Sequence, residues 1–285
     1  MNKLNDLMLS KKVSVYSQVK LKKNKLKKKI TVITVVLNGE DSIEKTIQSV
    51  LRQNYGNFEY IVVYTPSEDR TFDIIKKYSA QIDKIIICKQ RGIFLNMNVA
   101  LKYVSGDYIN FMNSGDRFNN KRVLSDIFNN NNHKYDVIYG HCKMLYESFT
   151  RIVYAKKPET INYQMFFTHQ SCFVKSSIYK KHKFDLKYKY SADYDFFIKN
   201  YLEGRIFKLI DIFISKRSAL GASDINKEKT IFETFLISYK YFKRIEFFMF
   251  FLNKIIFYFF TKILRKYLSK NIFYFFFKIK LKIFE

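Results

Sequence analysis

The chain has few cysteines, and their placement argues against a structural metal site. Its 285 residues include 3 cysteines, and Cys88, Cys142 and Cys172 lie far apart in apolar stretches. No CxxC pair and no His/Cys cluster with metal-site spacing accompanies them. The cysteines are therefore expected to be reduced core residues, a structural zinc is not expected, and a reducing, cytosolic compartment is favoured.

Long apolar runs are also missing. The first thirty residues contain no apolar h-region, so a cleaved secretion signal is not expected and the protein is expected to face the cytoplasm. In the C-terminal segment no apolar run is longer than six residues, the length of the runs at 247–252 and 255–260. A membrane-spanning helix needs roughly 20 mainly apolar residues, so an ordinary transmembrane helix is not expected.

Acidic residues are in short supply. The chain has 51 Lys and Arg against 25 Asp and Glu, which gives a formal net charge of +26. Such an excess of positive charge favours an anionic partner such as a membrane surface, nucleic acid or a phosphate-bearing substrate. No helix-turn-helix, RRM or zinc-finger signature is present. Specific nucleic-acid binding is therefore not expected, only weak attraction to phosphates.

Segments typical of strands and helices alternate along the first half of the chain. Runs that suit buried strands occur at 30–37, 59–64, 84–88 and 108–112, with helical spacing of apolar residues between them. This alternation predicts an α/β fold with a largely parallel sheet and helices on both faces. The lysine-rich residues 1–29 are expected to form a flexible basic arm.

A polar turn follows the fourth of these strands. Residues 107–116 read DYINFMNSGD, so an apolar strand runs directly into a turn that ends in Asp116. Loops at the carboxyl ends of parallel strands form the ligand crevice of such sheets, which favours a ligand site. The alternative is an ordinary strand-to-helix turn, because Asn, Ser, Gly and Asp are also common turn residues.

A pair of carboxylates lies at the start of a predicted helix at 191–202. Asp193 and Asp195 stand in its first turn, where the helix macrodipole stabilises negative charge. The two side chains point about 200° apart on a helix, so both cannot reach one ligand. Either carboxylate is therefore open to a structural or a functional interpretation.

Four blocks together resemble the family 2 glycosyltransferases of bacterial capsule, exopolysaccharide and lipopolysaccharide biosynthesis. They are ITVITVVLN at 30–38, TIQSVLRQNY at 46–55 with FEYIVV at 58–63, GDYINFMNSGD at 106–116, and HQ at 169–170 followed by ADYDF at 192–196. The resemblance covers residues 29–217. It implies a GT-A fold, in which a Rossmann-like, mainly parallel sheet is flanked by helices, and it leaves residues 218–285 as an aromatic and basic helical extension.

The resemblance implies an inverting, hexosyltransferase-type enzyme. Such an enzyme moves a sugar from a nucleotide-sugar donor, expected here to be a UDP-sugar, to a lipid-linked glycan. Asp116 would bind Mg²⁺ or Mn²⁺ at the donor diphosphate, with Asn113 or Ser114 in place of the first Asp of the DxD-type motif. Asp193 would be the general base that takes a proton from the acceptor hydroxyl, and Asp195 would have a structural or capping role.

The remaining site residues also follow from the resemblance. His169 and Gln170 would contact the acceptor or the diphosphate, although a partly buried, structural His169 is equally compatible with the sequence. The residues expected to line the donor site are Leu37, Asn38, Tyr64, Asp69, Arg91, Asn98, Asn113 and Ser114.

The chain departs from the family pattern at four acidic positions. Tyr64, Gln90, Leu95 and His141 stand where the family usually has a carboxylate. Their loss would weaken contacts to the base, the ribose or the donor sugar, and stacking of Tyr64 on a nucleobase is one possible compensation. The same losses motivate an alternative function, a non-catalytic GT-A-like partner or scaffold subunit of a glycan-assembly complex.

The last fifty-five residues are aromatic and basic. They contain 20 aromatic residues, 11 Lys and Arg, and 3 Glu. On a single helix, Lys243, Lys254, Lys262 and Arg265 would share one face, which suits a helix lying in an anionic membrane interface. The protein is therefore expected to be peripheral at the inner face of the plasma membrane. The alternative is packing of this segment on the catalytic domain or on a second copy in a homo-oligomer.

Overall fold

The computed structural model describes residues 13–17, 27–129, 134–219, 225–243 and 246–267. The chain divides into two compact units, Met1–Gly221 and Ala222–Glu285.

The first unit is built on a ten-stranded sheet. Its strands are β1 Val13–Ser17, β2 Ile30–Val36, β3 Phe58–Tyr64, β4 Lys84–Cys88, β5 Tyr108–Phe111, β6 Arg117–Phe118, β7 Val137–Leu145, β8 Thr150–Val153, β9 Cys172–Lys175 and β10 Phe207–Ser218. The spatial order is β1-β4-β3-β2-β5-β9-β7-β10-β6, and β8 pairs with β7. Strands β4, β3, β2 and β5 are parallel neighbours, while β9 runs antiparallel between β5 and β7.

Helices connect the strands. They are α1 Ile43–Leu51, α2 Thr71–Lys77, α3 Ile93–Ala100, α4 Val123–Phe128, α5 Ser176–Lys181 and α6 Ala192–Leu202, with short 3-10 turns at Pro158–Asn162 and His169–Ser171. The α/β alternation predicted from the sequence is confirmed. The antiparallel β9 makes the sheet mixed rather than purely parallel.

The core forms because the central strands are apolar on both faces. Every residue of β2 is buried, as expected for a parallel strand covered on both sides. Ile30 and Val32 belong to a cluster that includes Ile47 of α1 and Ile75 of α2. On β5, the ring of Phe111 packs edge-on against other aromatic rings, among them Tyr179 and Phe184.

Strand β1 corrects part of the sequence prediction. Residues 1–29 were expected to form a flexible arm, yet Val13–Ser17 pairs antiparallel with Lys84–Cys88 of β4. The sequence VSVYS explains this difference, because β-branched and aromatic residues favour a pleated strand despite the surrounding lysines. Residues 1–12 and 18–26 lie outside the described part of the chain.

The described part of the C-terminal unit contains two helices, α7 Lys227–Phe242 and α8 Glu246–Tyr267. The rings of Phe235 on α7 and Phe251 on α8 meet edge-on at 5.6 Å, and Phe251 is buried. A hydrogen bond between Glu228 and Tyr258 also joins the two helices, and it lowers the pKa of the Glu228 carboxyl and raises that of the Tyr258 hydroxyl. No helix among the described residues is long and apolar enough to cross a membrane.

The expectation that four basic residues share one helix is wrong for Lys243. That residue adopts the left-handed conformation, with φ of 51°, at the C-cap of α7. The helix ends there because a left-handed residue cannot continue right-handed helical geometry. Lys254 and Lys262 lie on α8, and the side chain of Arg265 is outside the described part of the structure.

Candidate active site

Polar loops meet at the carboxyl ends of three parallel strands. After β3, the backbone N–H of Thr65 donates to the carbonyl of Val36 at 2.9 Å. After β5, the N–H of Ser114 donates to the carbonyl of Val35 at 3.2 Å. After β2, the N–H of Gly39 donates to the hydroxyl of Thr71 at 2.7 Å. The loops following β2, β3 and β5 therefore form one connected edge.

Two predicted residues occupy the turn after β2. Leu37 is exposed, and Asn38 adopts a left-handed conformation with φ of 51°. Gly39 follows, and a Cβ there would lie 2.5 Å from Val36 and 2.8 Å from the Ser114 hydroxyl. A side chain at Gly39 would therefore push the loops after β2 and β5 apart.

The turn that carries Asp116 is fixed by α1. The Thr46 hydroxyl donates to the carbonyl of Asp116 at 2.8 Å and accepts from the N–H of Gly115 at 3.0 Å. Gly115 has a φ of +94°, which favours glycine. The hydroxyls of Ser114 and Ser42 lie 3.0 Å apart. Ser42 and Thr46 were not identified from the sequence, where their four-residue spacing at the start of a helix was the available signal.

The turn offers oxygen atoms suited to a hard divalent cation. Asp116 and Asn113 are 7% and 8% exposed. The Oδ1 atom of Asn113 is buried and has no hydrogen-bond partner among the described residues. No group of three or more His, Cys, Asp or Glu side chains in the described part of the chain could hold a metal on its own. A single carboxylate fits Mg²⁺-type binding, in which substrate phosphates and water complete the coordination.

Asp69 and Tyr64 lie in the loop after β3 with protein partners. Asp69 accepts hydrogen bonds from the hydroxyls of Ser67 and Thr71 and from the backbone N–H of Glu40. Burial alone would raise the pKa of Asp69, but these hydrogen bonds lower it to about 2. Its carboxylate therefore joins the loop after β3 to the loop after β2.

The placement of Tyr64 does not support stacking on a nucleobase. Its ring is 2% exposed and stacks on Phe72, with the ring centroids 5.1 Å apart. Its hydroxyl accepts a hydrogen bond from the N–H of Ser67 at 3.0 Å. The apolar environment of α2 draws the ring into the core, so in this conformation Tyr64 cannot compensate for the missing carboxylate.

Arg91 and Asn98 have different environments on either side of the start of α3. Arg91 is exposed, one residue before Gly92 at the N-cap. The amide of Asn98 forms two hydrogen bonds to the backbone of Phe184, at 2.9 and 3.1 Å. Asn98 therefore fixes α3 to the segment before α6. Direct donor contact is geometrically simpler for Arg91 than for Asn98.

The predicted base lies in the first turn of α6. The Asp193 side chain is 24% exposed, and its Oδ2 is 3.9 Å from Nδ1 of His169. Its Oδ1 accepts a hydrogen bond from the N–H of Tyr194 at 2.9 Å. Asp195 is 6% exposed, which fits the structural role expected for it and leaves Asp193 as the accessible carboxylate of the pair.

His169 lies between β5 and α6. Its ring centroid is 5.5 Å from that of Phe111 and 6.1 Å from that of Phe197. Burial lowers the pKa of His169 to about 4, so the imidazole is neutral at pH 7. Its Nε2 is buried without a hydrogen-bond partner among the described residues. The backbone carbonyl of Gln170 accepts a hydrogen bond from Asn110 of β5 at 3.0 Å.

His141, which replaces a family carboxylate, is paired with an acid from another strand. Its Nδ1 accepts from the N–H of Ala155 at 3.0 Å, so its Nε2 carries the proton and donates to Asp211 at 2.9 Å. The β7–β10 pairing is irregular between Leu209 and Phe213, and Asp211 lies in this irregular stretch. A sequence comparison at position 141 alone could not reveal this carboxylate.

The fold and the polar loops at the strand ends indicate the class of protein. A mainly parallel α/β sheet with ligand-type loops at the carboxyl ends of its strands is typical of nucleotide-binding folds. Residues 31–194 match the family described as Glycosyl transferase family 2. The chain belongs to this family, which confirms the resemblance seen in the sequence.

Two curated relatives illustrate the similarity. An uncharacterized glycosyltransferase of Methanocaldococcus jannaschii is 28% identical over 66% of this chain and 69% of its own length. The Escherichia coli UDP-Glc:alpha-D-GlcNAc-diphosphoundecaprenol beta-1,3-glucosyltransferase WfaP is 31% identical over 47% of this chain and 53% of its own length. The chain therefore spans only about half of WfaP.

Solved structures confirm the expected GT-A fold. Staphylococcus aureus TarS in complex with UDP-GlcNAc matches with a TM-score of 0.61 and 23% identity, over 73% of this chain and 65% of that one. A mannosyltransferase of Pyrobaculum calidifontis, in complex with GDP-Man and Mn²⁺, matches with a TM-score of 0.58 and 13% identity, over 76% and 65%. At these identities the likeness establishes the fold.

Proposed function

We propose that the protein is an inverting glycosyltransferase that moves a hexose from a UDP-sugar to a lipid-linked glycan in cell-surface polysaccharide biosynthesis. The observation that carries the proposal is the arrangement around His169. Its ring contacts Phe111, two residues before the Asn113–Asp116 turn, and its Nδ1 approaches Asp193. His169 therefore links the turn assigned to the donor diphosphate with Asp193, the carboxylate assigned to the acceptor.

The comparisons support the choice of substrates. WfaP is named for a UDP-glucose donor and an acceptor linked to diphosphoundecaprenol. TarS was solved with UDP-GlcNAc. A UDP-sugar donor and a diphosphate-linked lipid acceptor are therefore the substrate classes proposed for this chain, within a catalytic domain of residues 30–217.

A divalent cation, Mg²⁺ or Mn²⁺, would be held by Asp116 with the amide oxygen of Asn113. When bound, such a cation neutralises charge on a departing nucleoside diphosphate. The buried Oδ1 of Asn113, which has no hydrogen-bond partner in the described part of the chain, supports this assignment, as does Mn²⁺ in the mannosyltransferase complex. Ser42 and Thr46 position the turn through their hydrogen bonds to it.

Asp193 acts as the general base in this proposal. Its carboxylate accepts the proton of the acceptor hydroxyl while the oxygen bonds to the anomeric carbon and the bond to the donor diphosphate breaks. A general base of this kind contributes about 10²–10⁴ in rate. The neutral His169 places no positive charge beside the Asp193 carboxylate.

The C-terminal unit is proposed to associate with the cytoplasmic face of the plasma membrane. Large apolar side chains are exposed on both helices: Phe232, Leu236, Tyr239, Met249, Ile256, Phe257, Phe259, Phe260 and Ile263. Lys254 and Lys262 on α8 supply positive charge next to the exposed rings. Apolar burial together with attraction to anionic headgroups is the basis of interfacial binding.

Transfer of hexose to a lipid-linked acceptor tests the proposal. Asp193→Asn and Asp116→Asn are each expected to lower transfer at least 100-fold, as expected for loss of a general base or of a charge-stabilising site. Asp73→Asn on α2 is the control, because that side chain is 72% exposed. Full activity in both site variants would overturn the assigned mechanism.

A further inference from the structure

Three basic residues form a row across three neighbouring strands. Lys216 of β10 lies directly opposite Arg117 of β6 and directly opposite Lys143 of β7. Residues opposite each other in adjacent strands project from the same face of a sheet. Arg117, Lys216 and Lys143 therefore place three positive charges side by side, and all three are half-buried.

The row has no counter-charge in the described part of the chain. None of its members forms an ion pair with a described carboxylate, and the Nζ of Lys143 lies over the ring of Phe213, 5.1 Å from its centroid. Burial, followed by repulsion from Lys143 and Arg117, lowers the pKa of Lys216. Like charges directly opposite each other destabilise a sheet, so this row costs folding energy that a bound anion would offset.

The position of the row suggests the anion. Arg117 directly follows Asp116 in the chain, so the row begins beside the turn assigned to the donor diphosphate. An Arg fork with two ammonium groups suits a phosphate-rich ligand, because Arg and Lys form charge-assisted hydrogen bonds to phosphate oxygens.

We propose that Arg117, Lys143 and Lys216 form a binding site for a diphosphate group of the transferase substrates. This proposal rests on the proposed function. The diphosphate comes either from the nucleotide-sugar donor or from a diphosphate-linked lipid acceptor, and both present the same chemistry. The site binds it by charge and hydrogen bonding and does not take part in bond breaking.

Calorimetric titration with inorganic pyrophosphate, without divalent metal, tests the site itself. Lys143→Gln and Lys216→Gln are each expected to weaken binding about tenfold, since each removes one charge-assisted contact. Lys208→Gln, also on β10, is the matched control and is expected to bind as the wild type does. Removing a repelling charge is expected to leave the midpoint of thermal unfolding unchanged or raised, so misfolding would be recognised. Equal pyrophosphate affinity in all four proteins would overturn the proposal.

Steady-state kinetics then distinguish the two sources. A higher KM for a GlcNAc-diphosphoundecaprenol acceptor at unchanged donor KM would assign the row to the acceptor, and the reverse pattern would assign it to the UDP-sugar. Unchanged KM values for both substrates would overturn the proposal. If the wild type bound pyrophosphate through the row but transferred no sugar, the proposed function would fail while the anion site would stand.

Discussion

Nδ1 of the buried His169 lies 3.9 Å from Oδ2 of Asp193. Because burial lowers the pKa of His169 to about 4, this contact is between a neutral ring and a carboxylate at pH 7. The ring therefore shapes the surroundings of the base without forming an ion pair with it.

The folded protein is expected to lose stability in mild acid because of His169. Its pKa falls from 6.5 to about 4 on folding, so between these values the unfolded chain binds the extra proton. The free energy of unfolding is therefore expected to fall by about 2 kcal/mol between pH 7 and pH 5. Urea unfolding of the wild type and His169→Gln at both pH values measures it. An identical loss in the variant would show that His169 is not the group responsible.

The Thr46 hydroxyl is expected to stabilise the Asp116 turn. Thr46→Val removes the donor to the Asp116 carbonyl and the acceptor for the Gly115 N–H. Leaving these buried groups unpaired costs about 1–3 kcal/mol, which denaturant unfolding would report. Thr46→Ser keeps the hydroxyl and is the matched control. Equal stability of the Val and Ser variants would contradict the geometry of this turn.

Asp69 is expected to hold two loops together through its negative charge. Its pKa is lowered from 3.8 to about 2 in the folded protein, so its stabilising effect is complete above pH 4 and is lost as the pH falls towards 2. Asp69→Asn is expected to be less stable at pH 7 and to lose less stability on acidification. The exposed neighbouring Glu68→Gln is the control, and matching unfolding curves for the two variants would refute the role of Asp69.

The sequence predicted the features that depend on local pattern. The buried β2, the turn ending at Asp116 and the acidic start of α6 were all read from apolar periodicity and turn chemistry. The order of these elements along the chain is typical of the family 2 glycosyltransferases. These elements are set by residues close in sequence, which is why a single sequence suffices to find them.

Features that depend on tertiary packing were not predicted. Tyr64 is buried because its ring stacks on Phe72 of α2. The eight-residue separation of Tyr64 and Phe72 in the sequence does not predict that contact. The pairing of His141 with Asp211 requires the irregular stretch of β10, 70 positions away. Strand β1 likewise depends on the free edge of β4, which lies far along the chain.

The exposed C-terminal helices are expected to bind anionic membranes. Lys254→Glu combined with Lys262→Glu should reduce co-sedimentation with phosphatidylglycerol vesicles at least tenfold, because each lysine contributes about 1 kcal/mol near an anionic surface. Binding to neutral phosphatidylcholine vesicles should change little. Lys199→Glu combined with Lys208→Glu in the first unit is the charge-matched control. Equal losses for both double variants would indicate a general effect of net charge.

The most direct measurement is calorimetric titration of UDP with and without Mn²⁺, using the wild type and Asp116→Asn. If the turn after β5 is a metal-dependent diphosphate site, the wild type will bind UDP at least tenfold more tightly with Mn²⁺, and Asp116→Asn will lose that gain. Asp73→Asn should behave as the wild type does. Equal UDP affinity with and without Mn²⁺ in the wild type would contradict the assignment of Asp116 to a metal-dependent donor site.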